Sequence, residues 1–342
     1  MIPIENDHIA NWYETHHTGR LLCTLCPRYC LIGDGQRGFC FIRYNKGGTL
    51  FTEGYGRSTG FALDPIEKKP LNHFLPGSSI LSFGTAGCNL GCKFCQNWSI
   101  SKAKSDNVSS IRISAEDVVE LSLKYNSPSI AFTYNDPVIF SEFVIDVSKI
   151  AVQNNINPVL VTAGYVDPAA RIELFKYVKA ANVDLKGFTE HFYKNLTYSS
   201  LKPVLETLIY LKNETEVWLE ITNLIIPGQN DNPEEIKAMC NWILENLGEN
   251  VPLHFSAFHP DFKMKDVPHT PVTALYEAYR IAKSAGINYC YLGNIAGTKG
   301  KETRCNNCNE LLIEREWFKI TLNLLKENKC PSCNQHIPGR FN

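Results

Sequence analysis

Short apolar segments alternate with longer amphipathic segments between residues 80 and 297. A short run of apolar and β-branched residues predicts a strand, whereas apolar residues that recur at helical spacing predict a helix. The strand pattern occurs at residues 80–83, 129–133, 158–162, 182–185, 216–221, 252–255 and 288–291. The helix pattern occurs at residues 115–124, 139–153, 168–180, 203–211, 233–245 and 271–285.

Strands that alternate with helices predict βαβ units, and therefore an α/β fold with a parallel sheet. The seven predicted strands are too few for the complete eight-stranded TIM barrel. A partial barrel and a doubly wound open sheet both produce this alternation. Either arrangement places active-site residues at the carboxyl ends of the parallel strands.

The two ends of the chain differ from this central pattern. Residues 20–75 are rich in Gly, Cys and aromatic residues and lack helical periodicity, although a hairpin is predicted near residues 44–53. After residue 297 the pattern changes again. We therefore predict a Cys-rich amino-terminal module (residues 1–78), a core barrel (79–298) and a small carboxy-terminal module (299–342).

Charge and hydropathy narrow the class of protein. The formal net charge of −1 provides no long-range basic field, so nucleic acid is not indicated as a partner. No apolar run approaches the roughly 20 residues of a membrane-spanning helix. The amino-terminal residues lack the basic-then-apolar pattern of a signal peptide. We expect a cytoplasmic protein without membrane contact.

The chain contains 13 cysteines, which in a cytoplasmic protein bind metals more often than they form disulfides. Cys240 and Cys290 lie in a predicted helix and a predicted strand and resemble ordinary buried thiols. The others form three groups along the chain. Three groups predict three metal sites.

The central group is Cys88, Cys92 and Cys95, with Phe94 before the last cysteine. Three thiolates at CxxxCxxC spacing can hold three irons of a [4Fe–4S] cluster and leave the fourth iron without a protein ligand. The group follows the first predicted strand, at the end where active sites of βα folds lie. A zinc knuckle is the alternative, but the second CxxC that structural zinc needs nearby is missing.

The carboxy-terminal cysteine set is Cys305, Cys308, Cys330 and Cys333, two CxxC pairs separated by 21 residues. This spacing is typical of a zinc ribbon, in which four thiolates surround one structural ion. A rubredoxin-like iron site and an auxiliary cluster are the alternatives to zinc.

The amino-terminal cysteine set is Cys23, Cys26, Cys30 and Cys40. Its irregular spacing matches neither a simple ribbon nor the ferredoxin pattern, and four thiolates suit either zinc or a second [4Fe–4S] cluster. From the spacing we favour structural zinc.

Polar residues follow several later strands. Tyr134, Asn135 and Asp136 form a turn after the second predicted strand. Asp184 and Lys186 are two positions apart at the fourth predicted strand, so their side chains share one face of that strand. They are either functional groups or a structural ion pair. His259 and Asn294 follow the last two strands.

The CxxxCxxC loop with Phe94 resembles the signature of the radical S-adenosylmethionine (SAM) superfamily. Two segments precede this loop: Cys23-Thr-Leu-Cys26-Pro-Arg-Tyr-Cys30 and the block at residues 64–77. The Tyr-Asn-Asp-Pro turn follows it. This order of motifs resembles that of the radical SAM protein of the AmmeMemoRadiSam system. That group is related to the pyruvate formate-lyase activating enzymes.

The resemblance implies a partial (β/α)6 barrel of the radical SAM type. It implies that SAM chelates the open iron, is cleaved reductively, and yields a 5′-deoxyadenosyl radical that abstracts hydrogen from an unidentified substrate. It assigns the amino group of SAM to Tyr134, Asn135 and Asp136, which replace the family's Gly-Gly-Glu-Pro stretch. It places Asp184 and Lys186 near SAM and substrate, and Asn294 near the adenosine.

The same resemblance makes Asp184, Lys186 and His259 catalytic candidates. A reductant such as flavodoxin or ferredoxin is expected, and a Memo-like, AMMECR-like or glycyl-radical protein is a candidate partner. One alternative function is an activating enzyme that installs a glycyl radical on a partner protein. A second is a metal-binding scaffold without catalysis.

Overall fold

A computed structural model describes residues 8–297 and 300–341. At its centre lies one sheet of eight strands. Numbered along the chain, they are β1 (Phe61–Pro65), β2 (Ser79–Phe83), β3 (Ser129–Phe132), β4 (Asn157–Thr162), β5 (Ala180–Asp184), β6 (Trp218–Ile225), β7 (Leu253–Ala257) and β8 (Cys290–Gly293). β2 to β8 run parallel, and β1 is antiparallel to β2.

Six longer helices connect the parallel strands. They are α1 (Ala115–Lys124), α2 (Ser141–Gln153), α3 (Pro168–Phe175), α4 (Lys202–Glu214), α5 (Pro233–Leu247) and α6 (Val272–Ala285). Each predicted strand and helix of the core is present, with ends shifted by a few residues. Every strand lies beside its neighbours in the sequence. A doubly wound sheet reverses strand order at a switch point, so this order confirms the partial barrel.

Local sequence explains where several helices begin. Ser114 and Asp117 form a capping box at the start of α1, in which each side chain accepts a backbone N–H of the other residue. Asp167 and Asn232 cap α3 and α5, and in each helix a proline occupies the first turn. These pairs set the ends of helices that bury their apolar faces against the sheet.

The amino-terminal region consists of short antiparallel strands. The predicted hairpin is confirmed as Arg43–Lys46 paired with Thr49–Thr52, and Gly47 and Gly48 form its turn at φ 59° and 79°. Positive φ at both central residues is the requirement of a type I′ turn. The other short strands are His8–Ile9, Tyr13–Thr15, Leu21–Cys23, Leu31–Ile32, Arg57–Ser58 and Ile111–Arg112.

β1 is an element that the sequence pattern does not predict. After it, Ile66, Leu71 and Phe74 pack against inward-facing residues of β2 to β5 such as Ala131 and Val159. The block at residues 64–77 therefore fills part of the barrel interior. Further short helical turns are Ile66–Lys68, Trp98–Ser101, Ser105–Asn107, Pro137–Phe140, Glu190–Phe192 and Tyr193–Thr197.

The carboxy-terminal region forms a three-stranded antiparallel sheet of Thr303–Arg304, Leu311–Glu316 and Lys319–Asn323. The predicted boundary between residues 298 and 299 and the first seven residues lie outside the described residues, and the division into three units stays a prediction. Among the described helices, none combines the length and apolar character needed to cross a membrane.

Candidate active site

A cavity of about 250 Å³ lies at the carboxyl ends of the parallel strands. It brings together residues that the sequence places more than 200 positions apart. The predicted site residues that line it are Cys88, Cys92, Cys95, Tyr134, Asn135, Asp136, Asp184, Lys186 and Asn294. The lining residues, all within the described part of the chain, do not include His259, which is exposed beyond β7.

The loop that carries the three central cysteines is held by backbone contacts. The amide of Asn135 donates to the carbonyl of Gly87 at 2.8 Å and accepts from the N–H of Thr85 at 3.1 Å. Cys88 and Cys92 are buried, and Cys95 is half-buried, with its sulfur 3.1 Å from the hydroxyl of Ser101. These contacts hold the loop at the edge of the cavity.

Burial raises the pKa of the Cys92 thiol to about 12 and also raises that of Cys88. The cations of Lys186 and Lys102 oppose this shift at Cys92. Lys102, directly after the helical turn Trp98–Ser101, is a site residue that the sequence interpretation missed, since nothing in its own spacing distinguishes it. A bound metal provides the positive charge that turns such thiols into thiolates.

The donor set fits a cluster with one open iron. In residues 8–297 and 300–341, no fourth cysteine lines the cavity. Among these described residues the three sulfurs also do not form a group compact enough for a single ion, since only the carboxy-terminal set does so. A cubane spreads its thiolates because each sulfur binds a different iron. The three thiols therefore suit a [4Fe–4S] cluster that faces the cavity.

Asp136 is fixed by three hydrogen bonds. Its carboxylate accepts from the hydroxyl of Thr162 and the N–H of Ala163, both at 2.9 Å, and from the N–H of Val138 at 3.1 Å. Burial raises the pKa of this carboxyl against the three bonds that favour its charged form. The carboxylate thus joins the end of β3 to the end of β4 and holds a fixed position in the cavity wall.

Asp184 and Lys186 form an ion pair at 2.7 Å, and both side chains line the cavity. Burial lowers the pKa of Lys186, but the carboxylate of Asp184 and the thiol of Cys92 outweigh it and raise that pKa above its usual value. The ammonium is therefore charged at neutral pH. Asp184 and Lys186 are thus paired with each other and also line the cavity, so the two interpretations drawn from the sequence do not exclude each other.

A second cavity of about 490 Å³ adjoins the first and shares Tyr134, Asn294 and several neighbours with it. Residues of the block at 64–77, of β7 and β8, and of the carboxy-terminal region form its remaining walls. The charged residues among them are Glu67, Lys68, Lys69, Lys301 and Arg315. This cavity was not predicted, because it depends on contacts between distant parts of the chain.

The carboxy-terminal cysteine set forms a site that could hold a metal. All four sulfurs lie within 4.8 Å of one another. Cys305 lies 3.5 Å from Cys333, and Cys308 lies 3.6 Å from Cys330, measured between sulfurs. Such separations suit four thiolates around a single tetrahedral ion.

Comparison with known proteins identifies the class to which this geometry belongs. The sequence pattern of the radical SAM superfamily matches residues 83–243. An uncharacterized protein of Methanocaldococcus jannaschii is 42% identical over 96% of this chain and 98% of its own length. A pyruvate formate-lyase-activating enzyme of Clostridium pasteurianum is 24% identical over 53% of this chain and 80% of that enzyme.

Solved structures support the fold alone. A radical SAM methyltransferase from Sphaerobacter thermophilus is similar with a TM-score of 0.51 at 14% identity. The match covers 70% of this chain and 71% of that one.

Proposed function

The chain belongs to the radical SAM superfamily, and we propose that Cys88, Cys92 and Cys95 hold the [4Fe–4S] cluster that this membership implies. The observation that carries the proposal is the cavity itself. It joins three thiols to polar groups from six of the parallel strands, β3 to β8. Such an arrangement serves a cofactor that must bind SAM as well as carry an electron.

When bound, the cluster and SAM supply one chemistry: an electron cleaves SAM to methionine and a 5′-deoxyadenosyl radical that abstracts hydrogen from the substrate. The chain's own residues bind SAM and orient it. The fixed carboxylate of Asp136 and the backbone carbonyls of the Tyr134 turn accept hydrogen bonds from the ammonium of SAM. Asp184 and Lys186 face its polar groups, and Asn294 contacts the adenosine.

The substrate of this proposal occupies the second cavity, which opens beside the first. Tyr134 lines both spaces. Its hydroxyl is bonded to Asp64 at 3.0 Å and its carbonyl to the amide of Asn97 at 2.9 Å. A tyrosine held at both ends shapes the passage between SAM and substrate.

Activation of a glycyl-radical enzyme is the second candidate function. The similarity to a pyruvate formate-lyase-activating enzyme, which extends over 53% of this chain, favours it. In that case the substrate is a glycine of a partner protein, and a reductant such as flavodoxin supplies the electron. The two candidates share the same first step and differ in what enters the second cavity.

Formation of 5′-deoxyadenosine tests the proposal. Anaerobically reconstituted protein with SAM and dithionite should release 5′-deoxyadenosine and methionine. Cys92→Ala should abolish the product, whereas Cys240→Ala, which removes a buried thiol outside the cysteine sets, should retain it. A folded, iron-loaded protein that yields no 5′-deoxyadenosine would leave only the scaffold alternative.

A further inference from the structure

The amino-terminal cysteine set takes no part in the chemistry above, yet its thiols converge in the core. Cys23, Cys26 and Cys40 are buried, and Cys30 is half-buried. The thiol of Cys26 lies close enough to the other three to interact electrostatically with each of them. Four thiols that converge in this way provide enough sulfur ligands for one metal centre.

The separation of these sulfurs distinguishes a single ion from a cluster. Thiolates about 2.3 Å from a tetrahedral zinc lie roughly 3.8 Å from one another, as in the carboxy-terminal set. Among the described residues, the carboxy-terminal set forms such a compact group, whereas the four amino-terminal sulfurs and the three central ones do not. The amino-terminal set thus resembles the central set, which suits a cubane, in lacking a compact group for a single ion.

Several N–H groups point at the amino-terminal sulfurs. The buried guanidinium of Arg43 lies 3.7 Å from the sulfur of Cys23, and the backbone N–H of Phe39 lies 3.5 Å from that of Cys30. Arg43 is itself held by an ion pair with Glu142. Hydrogen bonds to cysteine sulfur are a means by which proteins stabilise clusters and adjust their potentials.

The set also lies directly against the central cysteine loop. A Cβ on Gly87 would stand 2.1 Å from the carbonyl oxygen of Cys40, so the two backbones touch beside Cys88. Arg28, between Cys26 and Cys30, donates a hydrogen bond to the carbonyl of Asn89. A metal centre at this set is therefore a close neighbour of the central one.

We propose that Cys23, Cys26, Cys30 and Cys40 bind a second [4Fe–4S] cluster. All four irons then have protein thiolate ligands, so this cluster carries an electron but leaves no iron open to SAM. The lack of a compact four-sulfur group argues against the zinc that the intervals between these cysteines favour in the sequence.

Metal and sulfide analysis of a variant without the central thiols tests this proposal. Cys88→Ala/Cys92→Ala/Cys95→Ala should retain about four iron and four sulfide per chain after anaerobic reconstitution, against about eight of each in the unchanged protein. Its dithionite-reduced form should show an EPR signal that SAM does not alter. A folded variant without iron would overturn the proposal, whether it holds additional zinc or no metal at that set.

A second variant covers the case in which the triple variant does not fold. Cys26→Ser/Cys30→Ser should halve the iron and sulfide of the unchanged protein while the remaining EPR signal still responds to SAM. Cys305→Ser is the matched control, since it should remove zinc and leave the iron of both clusters unchanged. Iron of about four per chain in the unchanged protein, undiminished by Cys26→Ser/Cys30→Ser, would overturn the second cluster.

Discussion

Gly87 shows how one residue constrains the site. Its φ is +84°, and its backbone approaches the carbonyl of Cys40 so closely that a Cβ would stand 2.1 Å from that oxygen. Gly35 has a similar φ of +70° but no atom within 4 Å of the same position. The two glycines therefore separate the cost of a left-handed backbone from the cost of a clash between the cysteine loops.

We predict that Gly35→Ala destabilises the protein by only about 1–2 kcal/mol, the cost of left-handed backbone. Gly87→Ala should cost more and should also lower the iron content, because the loop must move away from Cys40. Urea unfolding and iron analysis of both variants check this. Equal unfolding midpoints and equal iron contents would show that the two loops do not touch.

Residue types and spacing were enough to predict much of the site. The central cysteine group and the two-residue interval between Asp184 and Lys186 depend only on positions in the chain, and these residues lie together in the cavity. A turn has no regular alternation of side chains, so the spacing of its residues does not predict the direction in which each side chain points. Asn135 was predicted to contact SAM, but its amide is bonded to Thr85 and Gly87. Its role in binding SAM stays a prediction.

At the scale of elements, periodicity predicted the parallel strands and their helices because those strands are buried on both faces. β1 was missed for a physical reason. It lies at the edge of the sheet, ends at Pro65 and carries the exposed Leu63, so its pattern differs from that of a central strand.

One buried ion pair connects two elements. Arg43 of the hairpin strand pairs with Glu142 of α2, and their side chains are only 1% and 3% exposed. Removing one partner of such a pair leaves an uncompensated buried charge, at a cost of about 3–5 kcal/mol. The pair therefore holds the amino-terminal hairpin against the barrel.

We predict that Glu142→Gln lowers the free energy of unfolding by about 3–5 kcal/mol and therefore lowers the urea unfolding midpoint strongly. Arg43→Met/Glu142→Leu should be less destabilised than the single variant, since it leaves no unpaired charge. Glu277→Gln, which breaks an exposed pair with Arg280, should leave the midpoint unchanged. Identical midpoints for Glu142→Gln and Glu277→Gln would contradict the connecting role.

At the scale of the whole molecule, His73 joins the barrel to the carboxy-terminal region. One ring nitrogen lies 2.6 Å from the carbonyl of Pro338, and the other lies 2.6 Å from the hydroxyl of Tyr291. Arg315 donates to the carbonyl of Asn72 at 2.8 Å across the same interface. Contacts between residues so far apart in the chain are beyond sequence patterns, which explains why the second cavity was not predicted.

His73 should make stability depend on pH. Burial lowers the pKa of this histidine to about 4 from 6.5. Between pH 6.5 and 4 the imidazole is therefore protonated in the unfolded chain and neutral in the folded one. The free energy of unfolding decreases as the pH falls through this range, by at most about 3 kcal/mol. Urea midpoints across this range should fall more steeply for the unchanged protein than for His73→Asn. Parallel profiles would contradict this coupling.

We propose above that the CxxxCxxC loop holds a cluster whose open iron faces the cavity in which SAM binds. EPR of the dithionite-reduced protein, recorded before and after addition of SAM, tests it most directly. The spectrum should change on addition, because SAM alters the ligands of one iron, and Cys92→Ala should show no such change. A reduced cluster whose spectrum is identical with and without SAM would show that SAM does not bind an iron of this cluster.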